Sequence, residues 1–332
     1  MGTKEVSEEK NVAGPRNGLK AMEEIEQNLK DLKERHSTLE VGDKDEVIEG
    51  IDFNFEDKNS EDEIKMLKVK SKSFEEINTH RIKIRRCRFR NKKSLDPALV
   101  ISNSKEVIVE DCIFENMRGG DKREAIRIGG DGRESGLSLK CTVRRCIFRN
   151  NSGDDEVISI KSANNTFEEC FFINNGSDDD DKVSGNVTVR HGGLATIRHN
   201  YFKGKNGVRI FGYGNRVEYN CFDNNPADDN NDKAKKRCPI TLWWGEEKYD
   251  PNWVPDKGEG EGASKPSEKF DSSGIGTHTK YARAVRTVIR GNEFKNCNST
   301  IVEVKDGKGE KPIETQRGHN DEDVEKFSFE KN

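Results

Sequence analysis

The stretch CTVRRCIF, residues 141–148, contains a short β-branched run followed by a cysteine, one spacer residue and a phenylalanine. The same anchor, a cysteine or asparagine two positions before a phenylalanine, recurs seven times along the chain. The anchors are Cys87/Phe89, Cys112/Phe114, Cys146/Phe148, Cys170/Phe172, Asn200/Phe202, Asn220/Phe222 and Asn292/Phe294. Recurrence of one short unit every few tens of residues is typical of solenoids, in which stacked units share a core.

Two further columns of short β-branched runs accompany each anchor. Runs such as EVISIKS and NVTVRHG follow a phenylalanine, and runs such as NNTFEEC and ATIRHN precede one. Three strands per repeat fit a right-handed parallel β-helix, in which each coil buries its apolar face only against its neighbours. An antiparallel sandwich of short strands is the alternative, but it does not predict a recurring anchor. We therefore predict an all-β, right-handed, single-stranded parallel β-helix over residues 76–305.

The ends of the chain and one internal segment differ from the repeats. Residues 1–75 are rich in charge, and the apolar spacing over residues 18–36 predicts a short helix that caps the first coil. A helix that binds a partner is the alternative. Residues 246–278, rich in glycine, proline and charge, predict a long loop, and residues 306–332 predict a polar tail. The composition, 31% hydrophobic and 36% charged, agrees with segments outside any core.

The charge balance and hydropathy exclude several classes of partner. A formal net charge of −4 gives no strong attraction to nucleic acid or to an anionic membrane. No apolar run is long enough to span a bilayer. The opening MGTKEVSEEK lacks the apolar core of a signal peptide. We expect no nucleic-acid partner, no membrane partner and a monomeric protein.

The eight cysteines do not form a recognisable disulfide or zinc pattern. No CxxC or cysteine–histidine zinc spacing occurs, and most cysteines precede an apolar run at the same place in the repeat. We interpret them as buried free thiols that act as small apolar side chains, and not as a disulfide framework.

One outer column of the second strand set carries two cations. The inward alternation of Ile160 and Val189 places Lys161 and Arg190 on the outer face of adjacent coils, with Gly129 leaving open space beside them. Neighbouring coils are about 4.8 Å apart. Because adjacent cations repel, a purely structural column would avoid this arrangement. The pair therefore indicates a functional site.

Three carboxylates lie near the start of the same strands. The runs EAIRIG and EVISIK align without a gap, so Glu124 lies against Glu156, and Asp154 precedes Glu156 by two residues. Oxygen ligands from adjacent coils suit a hard cation such as calcium. Alternatively, these acids only balance the charge of Lys161 and Arg190. Since Glu156 has the parity of an inward residue, a corner or bulge near residue 156 is needed to turn it outward.

The run EVISIKSANNTF, followed by VTVRHGG, HNYFKGKNGVRIFGYGN and YNCF, resembles the core of polysaccharide lyase family 6, which contains chondroitinase B and alginate lyases. The resemblance covers roughly residues 80–305 and is strongest over residues 124–223. It implies a right-handed parallel β-helix with Lys161 as Brønsted base and Arg190 as proposed acid. It also implies a Ca²⁺ ion held by Asp154, Glu156 and Glu124, with Asp154 in place of the family's usual glutamate and Glu124 in place of its asparagine. The family's members are usually exported.

The implied reaction is β-elimination at a uronic acid unit of an acidic polysaccharide, either alginate or a dermatan- or chondroitin-like glycan. A cation on the substrate carboxylate would stabilise the developing enolate, and Lys161 must be neutral to accept a proton. Arg190 suits stabilisation of the leaving oxygen better than proton donation, since arginine is a poor acid; His191 or water would donate the proton.

Three outward side chains of this face, His191, Arg209 and Arg127, are candidate ligands for the acidic groups of the substrate. For His191 a turn residue, and for the two arginines a solvated outer face, are the alternatives. A non-catalytic β-helix that binds glycans or partners is the alternative function. An enzyme of the pectate-lyase type is a weaker alternative, because its acids and arginine are arranged differently.

Overall fold

The computed structural model describes most of a solenoid built from nine coils. The described residues are 13–42, 44–56, 65–70, 81–93, 96–117, 124–130, 138–152, 156–176, 185–204, 207–223, 239–243, 284, 286–297, 302–305 and 329–330. Over these residues the chain forms one helix, α1 (Leu19–Gln27), and 27 short strands. Each coil contributes three consecutive strands, one to each of three sheets.

The strands of coils one to three are β1 (Lys33–Arg35), β2 (Leu39–Val41), β3 (Glu46–Glu49), β4 (Ile51–Asn54), β5 (Leu67–Lys70), β6 (Ile82–Arg85), β7 (Arg88–Arg90), β8 (Leu99–Ser102) and β9 (Ile108–Glu110). Those of coils four to six are β10 (Ile113–Glu115), β11 (Ile126–Ile128), β12 (Thr142–Arg144), β13 (Ile147–Arg149), β14 (Glu156–Ile160), β15 (Thr166–Glu168), β16 (Phe171–Ile173), β17 (Gly185–Val189) and β18 (Thr196–Arg198). Those of coils seven to nine are β19 (Tyr201–Lys203), β20 (Val208–Ile210), β21 (Arg216–Glu218), β22 (Cys221–Asp223), β23 (Ile240–Trp243), β24 (Val288–Arg290), β25 (Glu293–Lys295), β26 (Val302–Lys305) and β27 (Phe329–Glu330).

All neighbouring strands pair in parallel, and each strand pairs with the strand three positions earlier and three positions later. The first, second and third sheets begin with β1, β2 and β3 respectively and contain nine strands each over the described residues. This topology confirms the predicted right-handed parallel β-helix. Among the described residues, no helix is both long and apolar enough to cross a membrane.

A column of stacked phenylalanines forms the centre of the core on the first sheet. Consecutive rings lie 4.5–5.3 Å apart and are parallel to within 8°. The column contains the seven predicted anchors and also Phe53 of the second coil. In-register parallel pairing causes the stack, because it places equivalent side chains of successive coils directly over one another.

The cysteines behave as the sequence analysis predicted. Six are buried free thiols and Cys297 is partly buried; Cys238 lies outside the described residues. The thiols of the anchor column point at main-chain carbonyls, as Cys146 Sγ does at the carbonyl oxygens of Val109 and Arg144, 3.7 and 3.3 Å away. In coils seven to nine asparagines take this place, and Asn220 Oδ1 accepts the main-chain N–H of Asn200 at 3.0 Å.

The turn from the third sheet to the first uses one residue with positive φ in each of eight coil junctions. These residues are Gly50, Arg86, Asp111, Arg145, Glu169, His199, Tyr219 and Gly291. Only two of them are glycine, so the sharp corner is maintained by the stacked hydrogen bonding of neighbouring coils rather than by local preference.

A ladder of alternating charge runs along the outer face of the third sheet. The residues in register on successive strands are Glu49, Arg85, Glu110, Arg144, Glu168, Arg198, Glu218, Arg290 and Glu330. Arginines of this ladder reach back to the glutamate of the preceding coil, as Arg144 Nη2 does to Glu110 Oε2 at 2.6 Å. Burial alone would raise the pKa of the Glu110 carboxyl. The hydrogen bond and positive charge of Arg144, together with Lys83, outweigh this effect, so that the pKa lies below its ordinary value.

The N-terminal segment differs from its predicted form. Helix α1 ends at Gln27, nine residues before the predicted end, and β1 follows at Lys33 because Lys33–Arg35 pairs with Ile51–Phe53. The solenoid therefore begins near residue 33 rather than 76. The first two coils lie almost entirely outside the predicted range, because their residues are highly charged and Phe53 has an isoleucine, Ile51, at the anchor position.

Helix α1 does not cap the first coil but lies against the side of the solenoid. Its residue Ile25, with Leu29, packs on Ile113, Ile147 and Phe171, which are in register on the outer face of the first sheet. Glu26 of the helix also pairs with Arg149 of β13. An apolar outer patch on three central coils therefore decides where the helix docks.

The predicted long loop, 246–278, lies outside the described residues, as does nearly all of the predicted tail, 306–332. Within that tail, Phe329–Glu330 forms the last strand of the third sheet.

Candidate functional site

The candidate site lies on the outer face of the second sheet, in coils four to seven. Val157 and Ile158 both belong to the core, so the alternation of side chains changes phase between them. The change turns Glu156 outward, to the same face as Ser159, as the sequence analysis required. Ala125 and Ile126 repeat this pattern one coil earlier, which places Glu124 on the same face as Arg127.

Lys161 and Arg190 lie side by side at the ends of adjacent strands. Ile160 and Val189, the residues before them, are in register, and the Arg190 main-chain N–H donates to the Ile160 carbonyl at 2.8 Å. The predicted adjacency is therefore present, but the expected exposure is not. Lys161 is only 5% exposed and the Arg190 side chain 19%, since this face is closely packed with long polar side chains.

Gly129 does not leave open space beside Lys161. Its φ is +84°, and a Cβ atom at this position would lie 2.9 Å from the carbonyl carbon and oxygen of Lys161. A glycine is needed here because the two coils approach too closely for a side chain. The residue therefore fixes the backbone that carries Lys161.

Glu156 is the centre of a buried ion cluster. Its carboxylate is about 1% exposed. Oε2 accepts a hydrogen bond from Arg209 Nη2 at 2.6 Å, and Oε1 accepts one from Ser159 Oγ at 2.9 Å. Arg190 Nε lies 3.2 Å from Oε1. Three predicted site residues, Glu156, Arg190 and Arg209, are thus in direct contact.

Glu124 and Arg127 form a second ion pair on the preceding coil. Arg127 Nε and Nη2 lie 3.0 and 2.6 Å from Glu124 Oε1, and Nη2 lies 2.8 Å from Oε2. Glu124 is as deeply buried as Glu156. Because Arg127 is in register with Ser159, the two ion clusters lie on adjacent strands.

These contacts do not fit an open calcium site. Calcium ligands must present carboxylate oxygens to the ion, whereas both oxygens of Glu124 and of Glu156 face guanidinium groups. Among the described residues, no group of three His, Cys, Asp or Glu side chains could hold a metal ion. Asp154, the third predicted ligand, lies outside the described residues. Calcium binding stays a prediction of the resemblance.

Two further predicted substrate ligands, His191 and Arg209, are buried. His191 is buried, and its main-chain N–H lies 3.4 Å from the carbonyl oxygen of Ile160. Arg209 is also buried, with its guanidinium 5.7 Å from the ring centre of Phe211. Substrate binding by His191, Arg209 and Arg127 stays a prediction.

Two residues at the centre of the face, Ser159 and Thr188, are not among the predicted site residues. Both are fully buried and in register on β14 and β17. The alternation that assigned Ile158 and Ile160 inward already placed Ser159 outward, so the signal was present. The hydrogen bond by which Ser159 holds Glu156 is a contact that alternation does not specify.

The comparisons with known proteins point to one family. The sequence model of the chondroitinase B family matches residues 17–245. No curated protein matches the chain.

Three solved structures are similar to the chain at low identity. A mannuronic acid specific polysaccharide family 6 lyase from human gut microbiota is 21% identical, with a TM-score of 0.49, over 84% of this chain and 62% of its own. A PL6 alginate lyase in complex with a trisaccharide is 12% identical, with a TM-score of 0.48, over 89% of this chain and 84% of its own. A PL6 family polysaccharide lyase from Pseudopedobacter saltans is 15% identical, with a TM-score of 0.42, over 90% and 72%.

The chain thus spans less than two thirds of the first of these structures. The match to the family's sequence model covers more than half of this chain and includes every described residue of the candidate site. It confirms the resemblance drawn from the ISIKS and VRHG motifs. The protein therefore belongs to the chondroitinase B family, within polysaccharide lyase family 6.

Proposed function

We propose that the protein is a polysaccharide lyase that cleaves a uronate-containing polysaccharide by β-elimination. The observation that supports this proposal most directly is the placement of Lys161 and Arg190. The two side chains follow residues in register on adjacent strands, in a member of a family named for a polysaccharide lyase. Alginate and a dermatan- or chondroitin-like glycan are the candidate substrates.

In the proposed reaction, Lys161 Nζ takes the proton from C5 of a uronate unit. The electron pair of the broken C–H bond forms the C4=C5 double bond, and the C4–O4 bond breaks. Lys161 must be in its neutral form to accept this proton.

Arg190 stabilises the negative charge that develops on the leaving O4. Its Nε lies 3.2 Å from Glu156 Oε1, an ion pair that holds the guanidinium beside this carboxylate. A positioned donor of this kind acts more strongly in a closely packed site than in water. Since arginine is a poor acid, we assign the proton that reaches O4 to His191 or to water.

The test is product formation on a panel of uronate polymers, read as the ultraviolet absorbance of the new double bond conjugated with the carboxylate. We expect a rate with one polymer class, and a loss of about 10²- to 10⁴-fold in the variant Lys161→Ala, because a general base contributes on that scale. Lys203→Ala removes an exposed lysine of the first sheet and serves as the control with an unchanged rate.

Two results would contradict the proposal. One is the absence of product from every polymer, and the other is a normal rate in Lys161→Ala. Binding of a glycan without any product would favour the non-catalytic β-helix instead, which the deep burial of Lys161 makes the second candidate.

A further inference from the structure

Two of the three carboxylates that the resemblance assigns to calcium, Glu156 and Glu124, are held by arginines. Arg209 and Arg190 contact Glu156, and Arg127 contacts both oxygens of Glu124. For a metal ion to bind here, at least one buried carboxylate must release its guanidinium partner and leave that charge uncompensated.

Arg209 reaches Glu156 across an intervening strand. It lies on β20, two coils from Glu156 on β14, and its side chain passes over β17. Gly185, in register with Glu156 on β17, makes this path possible. A Cβ atom at Gly185 would lie 3.3 Å from Arg209 Cβ and 3.0 Å from Thr188 Oγ1, so a larger residue would crowd the arginine.

The guanidinium of Arg209 is fixed in place on two sides. One side pairs with Glu156 at 2.6 Å, and the ring of Phe211 lies 5.7 Å away. Arginine presents its N–H donors in a planar fork, a geometry that suits a carboxylate. A fixed, oriented cation of this kind meets the requirement for neutralising a substrate carboxylate.

The described carboxylates of the site are already bound by cations of the chain. Three guanidinium groups, those of Arg127, Arg190 and Arg209, contact the two carboxylates of Glu124 and Glu156. These arginines therefore stand where a metal ion would need the carboxylate oxygens.

We propose that Arg209, supported by Arg127, replaces the metal ion of this site and neutralises the substrate carboxylate, so that the reaction does not need a divalent cation. The inference rests on the proposed lyase function. In this arrangement Glu156 is a positioning residue, because it orients Arg209 and Arg190 and does not touch the substrate.

The first test measures calcium binding without any substrate. The full chain is stripped with chelator and titrated with Ca²⁺, with heat of binding and thermal unfolding temperature as readouts. We expect no binding heat and no rise in unfolding temperature, since a ligand that binds the folded state would raise it. Saturable Ca²⁺ binding that disappears in Glu156→Gln would overturn the inference. This result does not depend on whether the protein cleaves any polymer.

The second test uses the lyase assay. We expect an unchanged rate after chelation and a loss of about 10²-fold in Arg209→Gln, as for removal of one oriented donor. Arg209→Lys keeps the charge without the fork, and we expect it to recover part of the rate. Arg216→Gln, which removes an arginine paired with Glu218 on the third sheet, is the matched control with a normal rate.

The outcomes separate the two proposals. A rate that falls on chelation and returns with Ca²⁺ would confirm the lyase and refute the metal-free site. If Arg209→Gln does not fold, the rate of Arg127→Gln and the calcium titration test the metal-free site instead. A chain that cleaves no polymer would end the lyase proposal, while the calcium titration would still decide what holds Glu124 and Glu156.

Discussion

At the scale of single residues, the phenylalanine column shows how one side chain defines a coil. Each ring from Phe53 to Phe222 is fully buried, and each ring from Phe89 to Phe222 contacts the ring above and below at about one strand spacing. Stacking of this kind adds a pairwise attraction to the burial of apolar area. Loss of one ring therefore removes two contacts and leaves a cavity.

We expect Phe148→Ala to lower the free energy of unfolding by about 3–5 kcal/mol, the usual range for truncating a buried aromatic residue. Urea unfolding followed by circular dichroism measures the loss. Phe294→Ala is the matched comparison, because Phe294 is only partly buried and ends the described stack. Equal losses in the two variants would show that the column does not act through burial and stacking.

At the candidate site, the positions of single residues could be predicted from the sequence, but their burial and their contacts could not. The adjacency of Lys161 and Arg190 followed from alternation and coil register alone. Their burial did not, because it depends on how long side chains from other coils fold over the face. The pairing of Arg209 with Glu156 is another such case, since it joins residues 53 positions apart across an intervening strand.

At the scale of elements, the outer faces of the three sheets carry different kinds of side chains. The first sheet presents an apolar patch that binds helix α1, the second presents the candidate site, and the third presents the ladder of alternating charge. The alternation between Glu110 and Arg144 continues in both directions, so each charge has an opposite charge on both neighbouring coils.

The ladder predicts an unusual result for a charge swap. Exchanging Glu110 and Arg144 restores that pair but places an arginine against Arg85 and a glutamate against Glu168. Cross-strand charge pairs contribute about 0.2–1 kcal/mol each, and like charges destabilise by similar amounts. We therefore expect the double variant to remain less stable than the native protein in urea unfolding.

An isolated pair provides the control for this swap. Glu40 and Lys68 are in register on β2 and β5, and the next rung is the uncharged Val100. Exchanging these two charges should leave the stability unchanged. If the swap of Glu110 and Arg144 were equally neutral, the ladder would be only a row of independent pairs.

Pairing between strands explains why the first two coils were not predicted. Strands β1 to β3 are short and charged, and they form because each pairs with a strand of the second coil. Pairing of this kind overrides local preference, so sequence patterns placed the start of the solenoid too late. The anchor at Phe89 was visible, whereas Phe53 lacks a cysteine or asparagine two positions earlier.

At the scale of the whole molecule, the coils share one continuous core from Val41 to Ile289. Each coil is stabilised by its neighbours, as in other solenoids. Central coils should therefore open only with the molecule as a whole, whereas terminal coils have a neighbour on one side and should open more readily.

Thiol reactivity tests this difference directly. Six cysteines are buried, and burial raises the pKa of the Cys141 thiol to about 12, so its reactive thiolate is disfavoured. We expect an aromatic disulfide reagent to modify Cys297 well before Cys141 in the native protein, with site-by-site rates read by mass spectrometry. In denaturant, all eight cysteines of the sequence should react without prior reduction. Simultaneous reaction of Cys141 and Cys297 in the native state would contradict this order, and fewer than eight reactive thiols would reveal a disulfide.

The alternating ladder also restricts how this protein can have lengthened. Duplicating a single coil would set glutamate beside glutamate or arginine beside arginine at the junction, whereas duplicating two coils at once preserves the sequence of signs. The same holds for deletions. An ancestral or engineered version of this solenoid should therefore gain or lose turns in even numbers, unless the charge at the new junction changes with them.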